Sequence, residues 1–298
     1  MKNMKILLTG GSGFLGRPLV QLIESRLIDI TLIGRSKPAS YDGHFIVADL
    51  LSISASEISD IMKEIRPTHL VHLAWCADHG DFWESEQNLR WIDRTGLLVK
   101  KFCESGGISV LVSGSCAEYS MAAGHDLLED SPCVPTSLYG VSKDLTRQLV
   151  THICNEAEVE LSWCRIFFPY GPGEDSRKLV PSLKSIAKKL ADPFVIQAPG
   201  SRDFLHVDDV ASAIITIILR RANGVINVCS GISCDLQELM IRVLEMQRPD
   251  IDVDDSFQPK LGENRLDIVG NNQQLRSLGW NPTKELLPYI VSQSGIAN

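Results

Sequence analysis

The sequence predicts an α/β fold, a doubly wound parallel sheet, on two observations. The apolar run Lys5-Ile6-Leu7-Leu8 leads into Thr9-Gly10-Gly11-Ser12-Gly13-Phe14-Leu15-Gly16, and Leu15, Leu19, Leu22 and Ile23 then recur at helical spacing. That reads as strand, glycine turn, helix. Further short apolar runs follow at 28–33, 45–48, 69–74, 109–112 and 161–168, with helical patterns at 56–65 and 88–104 among them. Strands that alternate with helices suit a parallel sheet.

The glycine turn has the spacing G-x-x-G-x-x-G at Gly10, Gly13 and Gly16, a variant of the dinucleotide fingerprint G-x-G-x-x-G. A helix starting on such a turn aims free N–H groups and its positive dipole end at one spot, where a diphosphate can sit. Glycine accepts positive φ and has no Cβ to block a phosphate. An ordinary strand-to-helix turn would carry the same letters.

Composition narrows the function. The 298 residues are 44% hydrophobic, enough for one large domain or two modest ones. Net charge is −8 and no lysine- and arginine-rich block stands out, which argues against nucleic acid as a partner. The eight cysteines form no C-x-x-C pair, so reduced thiols in a cytoplasmic protein are expected and no metal site is. No signal-peptide pattern opens the sequence. Its longest apolar stretch, Val210 to Leu219, is too short for a membrane span and is interrupted by Ser212 and Thr216.

The second strand, 28–33, ends in Gly34-Arg35-Ser36-Lys37. In dinucleotide folds an acid here binds the ribose of NAD, and an arginine accommodates the 2′-phosphate of NADP. Arg35 without a neighbouring carboxylate favours NADP(H), with NAD(H) as the other option; a solvated arginine is the alternative. After the third strand, Asp49-Leu50 meets the adenine or caps the next turn. The fourth strand carries His72, read as a satisfied core histidine, and ends at Leu73-Ala74-Trp75, where small Ala74 lets backbone approach a cofactor. The loop from Trp75 to Trp83 holds His79, Asp81 and Phe82 and is a place for substrate contact.

The fifth strand runs into Ser113-Gly114-Ser115, and Tyr139-Gly140-Val141-Ser142-Lys143 follows. Tyrosine and lysine four apart share one helix face. A free tyrosine has a pKa of about 10, and an ammonium nearby lowers it. Ser115 can donate to a substrate oxygen. On most helices Y-x-x-x-K is only an exposed pair, but the glycine turn and the strand-end serine come with it here.

Taken together, the chain resembles the extended short-chain dehydrogenase/reductases of the nucleotide-sugar epimerase/dehydratase/reductase group. The resemblance rests on Thr9-Gly10-x-x-Gly13-x-x-Gly16, Asp49-Leu50, His72-Leu73-Ala74, Ser115, Tyr139-x-x-x-Lys143, Arg165 with Tyr170-Gly171-Pro172, Arg202-Asp203-Phe204 with Val207-Asp208-Asp209, and Leu278-Gly279-Trp280-Asn281-Pro282. It implies a Rossmann-type sheet with a smaller, discontinuous C-terminal substrate domain. The expected boundaries are 1–168 plus 204–229 for the dinucleotide domain and 169–203 plus 230–298 for the other. It implies catalysis by Ser115, Tyr139 and Lys143. Gly10, Ser12, Gly13, Phe14, Leu15, Gly16, Arg35, Asp49, Leu50, Leu73, Ala74, Trp75, Tyr139 and Lys143 would bind the cofactor. A helix beginning at Val180-Pro181 would cover the nucleotide of a nucleotide-sugar substrate. Arg202 and Arg265 are candidates for its diphosphate, or else surface salt bridges.

Departures narrow the reaction. Sugar dehydratases of the group place an acid and a base after the serine or threonine, and here Cys116 and Ala117 stand there. Glu118 is one place too far. Many members have asparagine where this chain has Phe168. The expected activity is NADPH-dependent reduction of a keto group, at C4, of a nucleotide-linked deoxy sugar. An NAD-dependent 4-epimerase is the alternative, and a non-catalytic NADP-binding sensor or scaffold the alternative of another class. The resemblance also implies a homodimer through the helix at 88–104 and the one bearing Tyr139.

Overall fold

A computed structural model describes residues 4–76, 80, 82–120, 124, 126–196, 199–251 and 265–292. The first half runs β1 (Lys5–Thr9), α1 (Gly16–Ser25), β2 (Asp29–Gly34), β3 (His44–Val47), α2 (Ala55–Ile65), β4 (His69–His72), α3 (Gln87–Glu104) and β5 (Ser109–Ser115). A single 3₁₀ turn, Cys116–Glu118, separates β5 from the rest. Then come α4 (Leu138–Glu156), β6 (Glu160–Ile166), β7 (Pro169–Tyr170), α5 (Leu179–Ala187), β8 (Ser201–Arg202), β9 (Leu205–His206), α6 (Val207–Arg220) and β10 (Gly224–Val228). The chain closes with β11 (Cys234–Asp235), α7 (Leu236–Gln247), α8 (Gln273–Ser277) and α9 (Leu286–Val291).

The main sheet has the order β10-β6-β5-β4-β1-β2-β3, every pair parallel. Its strands are apolar on both faces. Ile6 and Leu8 pack toward α1 and α6, with Leu19, Ile23 and Ile214. Leu7 points the other way, toward Ile58 of α2, Val99 and Phe102 of α3 and Val150 of α4. Helices on both faces explain why these strands read as continuous apolar runs. Each such side chain contributes roughly 1.5–3 kcal/mol by leaving water.

The chain quits the sheet after β6 and returns as α6 and β10, which pairs with β6 from Gly224↔Ser162 to Val228↔Ile166. Between and beyond these, α5, α7 and α9 enclose a separate cluster of Val180, Leu183, Ile186, Leu239, Val243 and Ile290. Two small sheets, β7 with β9 and β8 with β11, tie the returning chain to it. Buried Asp203, between β8 and β9, accepts from the backbone N–H groups of Ser230 and Gly231 and from the Ser230 hydroxyl at 2.6–2.9 Å. Among the described residues no helix is long and apolar enough to cross a membrane.

Candidate active site

The strand order reverses at β1, which lies between β4 and β2, and open α/β sheets bind ligands at such a point beyond the carboxyl ends of the strands. The glycine turn lies there. Gly10 has φ of +75°, and a Cβ on it would come within 2.7 Å of the Ala74 backbone nitrogen. A Cβ on Gly16 would meet the Gly10 carbonyl oxygen at 2.1 Å. Glycine at both places lets the turn press against the end of β4 and lets α1 start directly above it. Thr9 fixes the same junction: its carbonyl accepts from the Leu73 N–H, and its hydroxyl from the Ala74 N–H at 3.2 Å.

Helix α1 has no side-chain cap. By contrast, Ser54 caps α2 through a full capping box with Glu57. Open backbone donors at a glycine-walled helix start are what a diphosphate needs. The residues present therefore fit a dinucleotide. Phe14 flanks the turn, with the Lys178 ammonium 5.8 Å from its ring centre. Arg35 stands exposed just past β2. The Asp49 carboxylate accepts from the Leu51 N–H at 3.0 Å, so it caps its own turn.

Ser115 ends β5. Its hydroxyl accepts from the Ala117 N–H at 3.1 Å. The Glu118 side chain turns inward: it accepts from the Ser115 N–H at 2.7 Å, from the Trp163 indole at 3.0 Å and from Arg165 Nε at 2.8 Å. Glu118 is thus a buried structural carboxylate beneath the site. Cys116 and Ala117 are buried, and burial raises the Cys116 thiol to about 12. No acid–base pair follows the serine.

Helix α4 brings Tyr139 and Lys143 to Ser115. Its N-terminus is capped by the Ser137 hydroxyl, which accepts from the Gly140 N–H. Gly140 sits so close to the 3₁₀ turn that a Cβ would lie 2.3 Å from the Ala117 carbonyl oxygen. Sequence reasoning missed this contact, although a glycine directly after the tyrosine is its signal. A second unforeseen support comes from the loop before α3. The Trp83 carbonyl accepts from the Tyr139 N–H at 2.9 Å, and the rings of Phe82 and Trp83 meet Tyr139 edge-on at 5.0 and 5.7 Å. His79 and Asp81 of that loop lie outside the described residues.

The electrostatics differ from the expected tyrosine–lysine coupling. Burial raises the Tyr139 phenol, and a hydrogen bond with Ser115 works against it. The Lys143 ammonium lies 5.9 Å from the Tyr139 ring centre. It donates instead to the Ser113 carbonyl at 2.9 Å and sits 3.7 Å over the Trp75 ring. Burial pushes Lys143 down to about 7, with the Glu118 charge opposing. His72, below, is hydrogen-bonded to Thr9 at 2.8 Å and to Thr95 at 3.0 Å, and burial pushes it down to about 3. It is a neutral core histidine.

The three residues expected at the substrate are each engaged differently. Arg202 is buried in β8, donates to the carbonyls of Ser201 and Leu266, and lies 5.5 Å from the Phe168 ring centre. Arg265 is engaged by Asp235 at 2.7 Å and Asp267 at 3.1 Å. The Val180 side chain is packed into the α5–α7–α9 cluster. Its backbone N–H, in the first turn of a helix with no side-chain cap, is the part left for a ligand.

Residues 6–229 match the NAD dependent epimerase/dehydratase family. The chain belongs to this family. It is an enzyme of the extended short-chain dehydrogenase/reductase type, an NAD(P)-dependent oxidoreductase or epimerase. Among relatives in the family, it is 24% identical over 301 residues to dTDP-4-dehydro-6-deoxyglucose reductase of Escherichia coli, covering 93% of this chain and 92% of that one. It is 23% identical to dTDP-6-deoxy-L-talose 4-dehydrogenase (NAD(+)) of Aggregatibacter actinomycetemcomitans, covering 76% of this chain and 85% of that one. In fold it is similar to UDP-N-acetylglucosamine 4-epimerase from Methanobrevibacter ruminantium M1, solved with UDP-N-acetylmuramic acid. The TM-score is 0.81 at 22% identity, covering 98% of this chain and 97% of that one.

Proposed function

We propose that the protein reduces a keto group, at C4, of a nucleotide-linked deoxy sugar with NADPH, in surface-polysaccharide or deoxy-sugar biosynthesis. The observation that carries this reading is the site's selective equipment. Ser115, Tyr139 and Lys143 converge at the end of β5, while the positions a dehydratase needs hold Cys116 and Ala117, and Glu118 is locked by Arg165. A relative named for 4-keto reduction supports it.

The bound nicotinamide supplies the hydride. Tyr139 donates its phenolic proton to the oxygen as it becomes an alkoxide. Ser115 donates a hydrogen bond to the same oxygen, stabilising the charge that develops there. Lys143 holds a positive charge one helical turn from the phenol and meets the nicotinamide ribose. Gly10, Ser12, Gly13, Phe14, Leu15 and Gly16 receive the diphosphate, Arg35 the 2′-phosphate, and Asp49, Leu50, Leu73, Ala74 and Trp75 line the rest of the cofactor's path. Arg202 meets the substrate diphosphate. Arg265 reaches it only by releasing Asp235 and Asp267, and Val180 offers its N–H.

Two copies of the chain pair through α3 and α4. Leu89, Leu145 and Leu149 are 51%, 46% and 36% exposed on these helices, an apolar surface suited to a two-fold contact.

The test is to mix the protein with NADPH and a panel of nucleotide-linked 4-keto sugars and follow the nicotinamide absorbance. A reductase consumes one NADPH for each sugar reduced. Release of a stereoisomer with no net cofactor change would replace this reading with the 4-epimerase. Neither change would mean a scaffold.

A further inference from the structure

Trp75 follows β4 directly, and its ring is held on three sides. Its indole N–H donates to Asn88 Oδ1 at 2.8 Å. Asn88 is itself buried, and its amide donates to the Phe82 carbonyl at 2.6 Å. The ring stacks on Trp91 with 5.8 Å between centroids and 23° between planes. The Lys143 ammonium lies over the ring, 3.7 Å from its centre. Lys143 is 2% exposed, and among the described residues its ammonium donates one hydrogen bond, to the Ser113 carbonyl. A buried ammonium with one acceptor is poorly compensated. An indole face is the strongest aromatic partner for a cation.

We propose that Trp75 is a positioning residue whose indole face seats the Lys143 ammonium against the Ser113 carbonyl and opposes its loss of a proton before any ligand arrives. The proposal concerns the protein alone, though its consequence for catalysis rests on the function proposed above. The seat is built from three segments: the end of β4 supplies the ring, α3 supplies Asn88 and Trp91 to orient it, and α4 supplies the cation. Among the described residues, three other titratable groups face Lys143. Glu118 favours the ammonium, His72 is neutral and buried, and Tyr139 lies one turn away on the same helix.

The test reads Lys143 directly, by ¹⁵N NMR titration of its side-chain nitrogen in the unliganded protein, parent against Trp75→Leu and Trp75→Phe. Loss of the π face in Trp75→Leu lowers the titration midpoint by about 0.5–1.5 pH units. Trp75→Phe, which keeps a weaker face, falls between. Fluorinated tryptophan incorporated in the parent sequence keeps the ring's shape while drawing charge from its face, so it covers the case in which the leucine variant does not fold. The midpoint should fall stepwise with fluorine number. A midpoint that stays put in folded Trp75→Leu, or across the fluorinated series, overturns the proposal. Shifted midpoints in a protein that turns over no keto sugar would support the seat and count against the reductase reading alone.

Discussion

The Glu118 carboxylate accepts from Arg165 Nε at 2.8 Å with both side chains sealed from solvent, 0% and 2% exposed. Arg165 also donates to the Glu129 carbonyl at 2.9 Å and lies over the Tyr119 ring at 4.3 Å. Glu118→Gln strips the charge from one side and leaves Arg165 buried without its counter-ion. Breaking a buried pair in this way costs about 3–5 kcal/mol. Urea denaturation should show that loss in the midpoint, and the folded fraction should keep its turnover number. A variant as stable as the parent but catalytically dead would assign Glu118 to the chemistry.

Tyr139→Phe keeps the ring between Phe82, Trp83 and Ser115 and removes only the transferable proton. Turnover should fall by about 10²–10⁴-fold, the usual worth of general acid catalysis, with NADPH affinity unchanged. Ser115→Ala should cost on the order of 10²-fold, the loss of one hydrogen bond to the developing charge. Single-turnover kinetics beside a cofactor titration separates the two effects. NADPH loss that persists at full rate in Tyr139→Phe would mean that another group is the acid.

Cofactor choice is open to a single substitution. Arg35 is exposed past β2 and Gly34 beside it carries no carboxylate. NADP(H) should bind more tightly than NAD(H), and Arg35→Asp should erase or reverse that preference. Equal affinities in the parent protein, measured by fluorescence titration, would refute the assignment.

Lys143 ties function to stability. Its ordinary pKa is 10.5 and burial pushes it down to about 7. Between pH 7 and 10.5 the unfolded chain binds more protons than the folded one, so this lysine makes stability rise with pH across that window. At and below pH 7 the buried charge costs on the order of a few kcal/mol. Lys143→Met should therefore raise the melting temperature at pH 7 by several degrees while abolishing turnover, and the gain should shrink toward pH 10. A melting temperature that is unchanged or lower at pH 7 would contradict the depressed value.

If α3 and α4 pair two copies, Leu145→Glu with Leu149→Glu buries like charges at the contact. Light scattering should then move from twice 32.9 kDa to a single copy. A parent protein that is already monomeric at micromolar concentration would remove the dimer.

Much of this architecture was legible in the sequence, because the features involved are local. The glycine turn, the parallel strands and the Tyr139–Lys143 spacing each follow from periodicity or from a few neighbouring residues. The strand ends were misjudged by a few positions: β5 extends through Ser115, not Val112. Polar Ser113 and Ser115 hide the pairing of that extension with β6, which only the sheet supplies. The supports of the site were not legible for the same reason. The Trp83 carbonyl under Tyr139 and the Trp75 face over Lys143 join residues 56 and 68 positions apart, and nothing in the local letters records such contacts. The i,i+4 spacing fixes a shared face but not where a four-carbon stem ends, so the seat of the Lys143 ammonium on Ser113 and Trp75 is visible only in the structure.

The all-parallel sheet also sets a timetable for synthesis. Parallel neighbours cannot be joined by a tight hairpin, so each pair waits for a crossover to be made. Strand β1 leaves the ribosome before β4, and the residue that pairs with Ile6 on its β4 side is His69. Strand β6 keeps an uncovered edge until residues 224–228 are translated. Through most of its elongation the nascent chain therefore displays apolar strand edges of the kind that drive misassociation. The contacts that shield those edges are made only once the later segments have been translated.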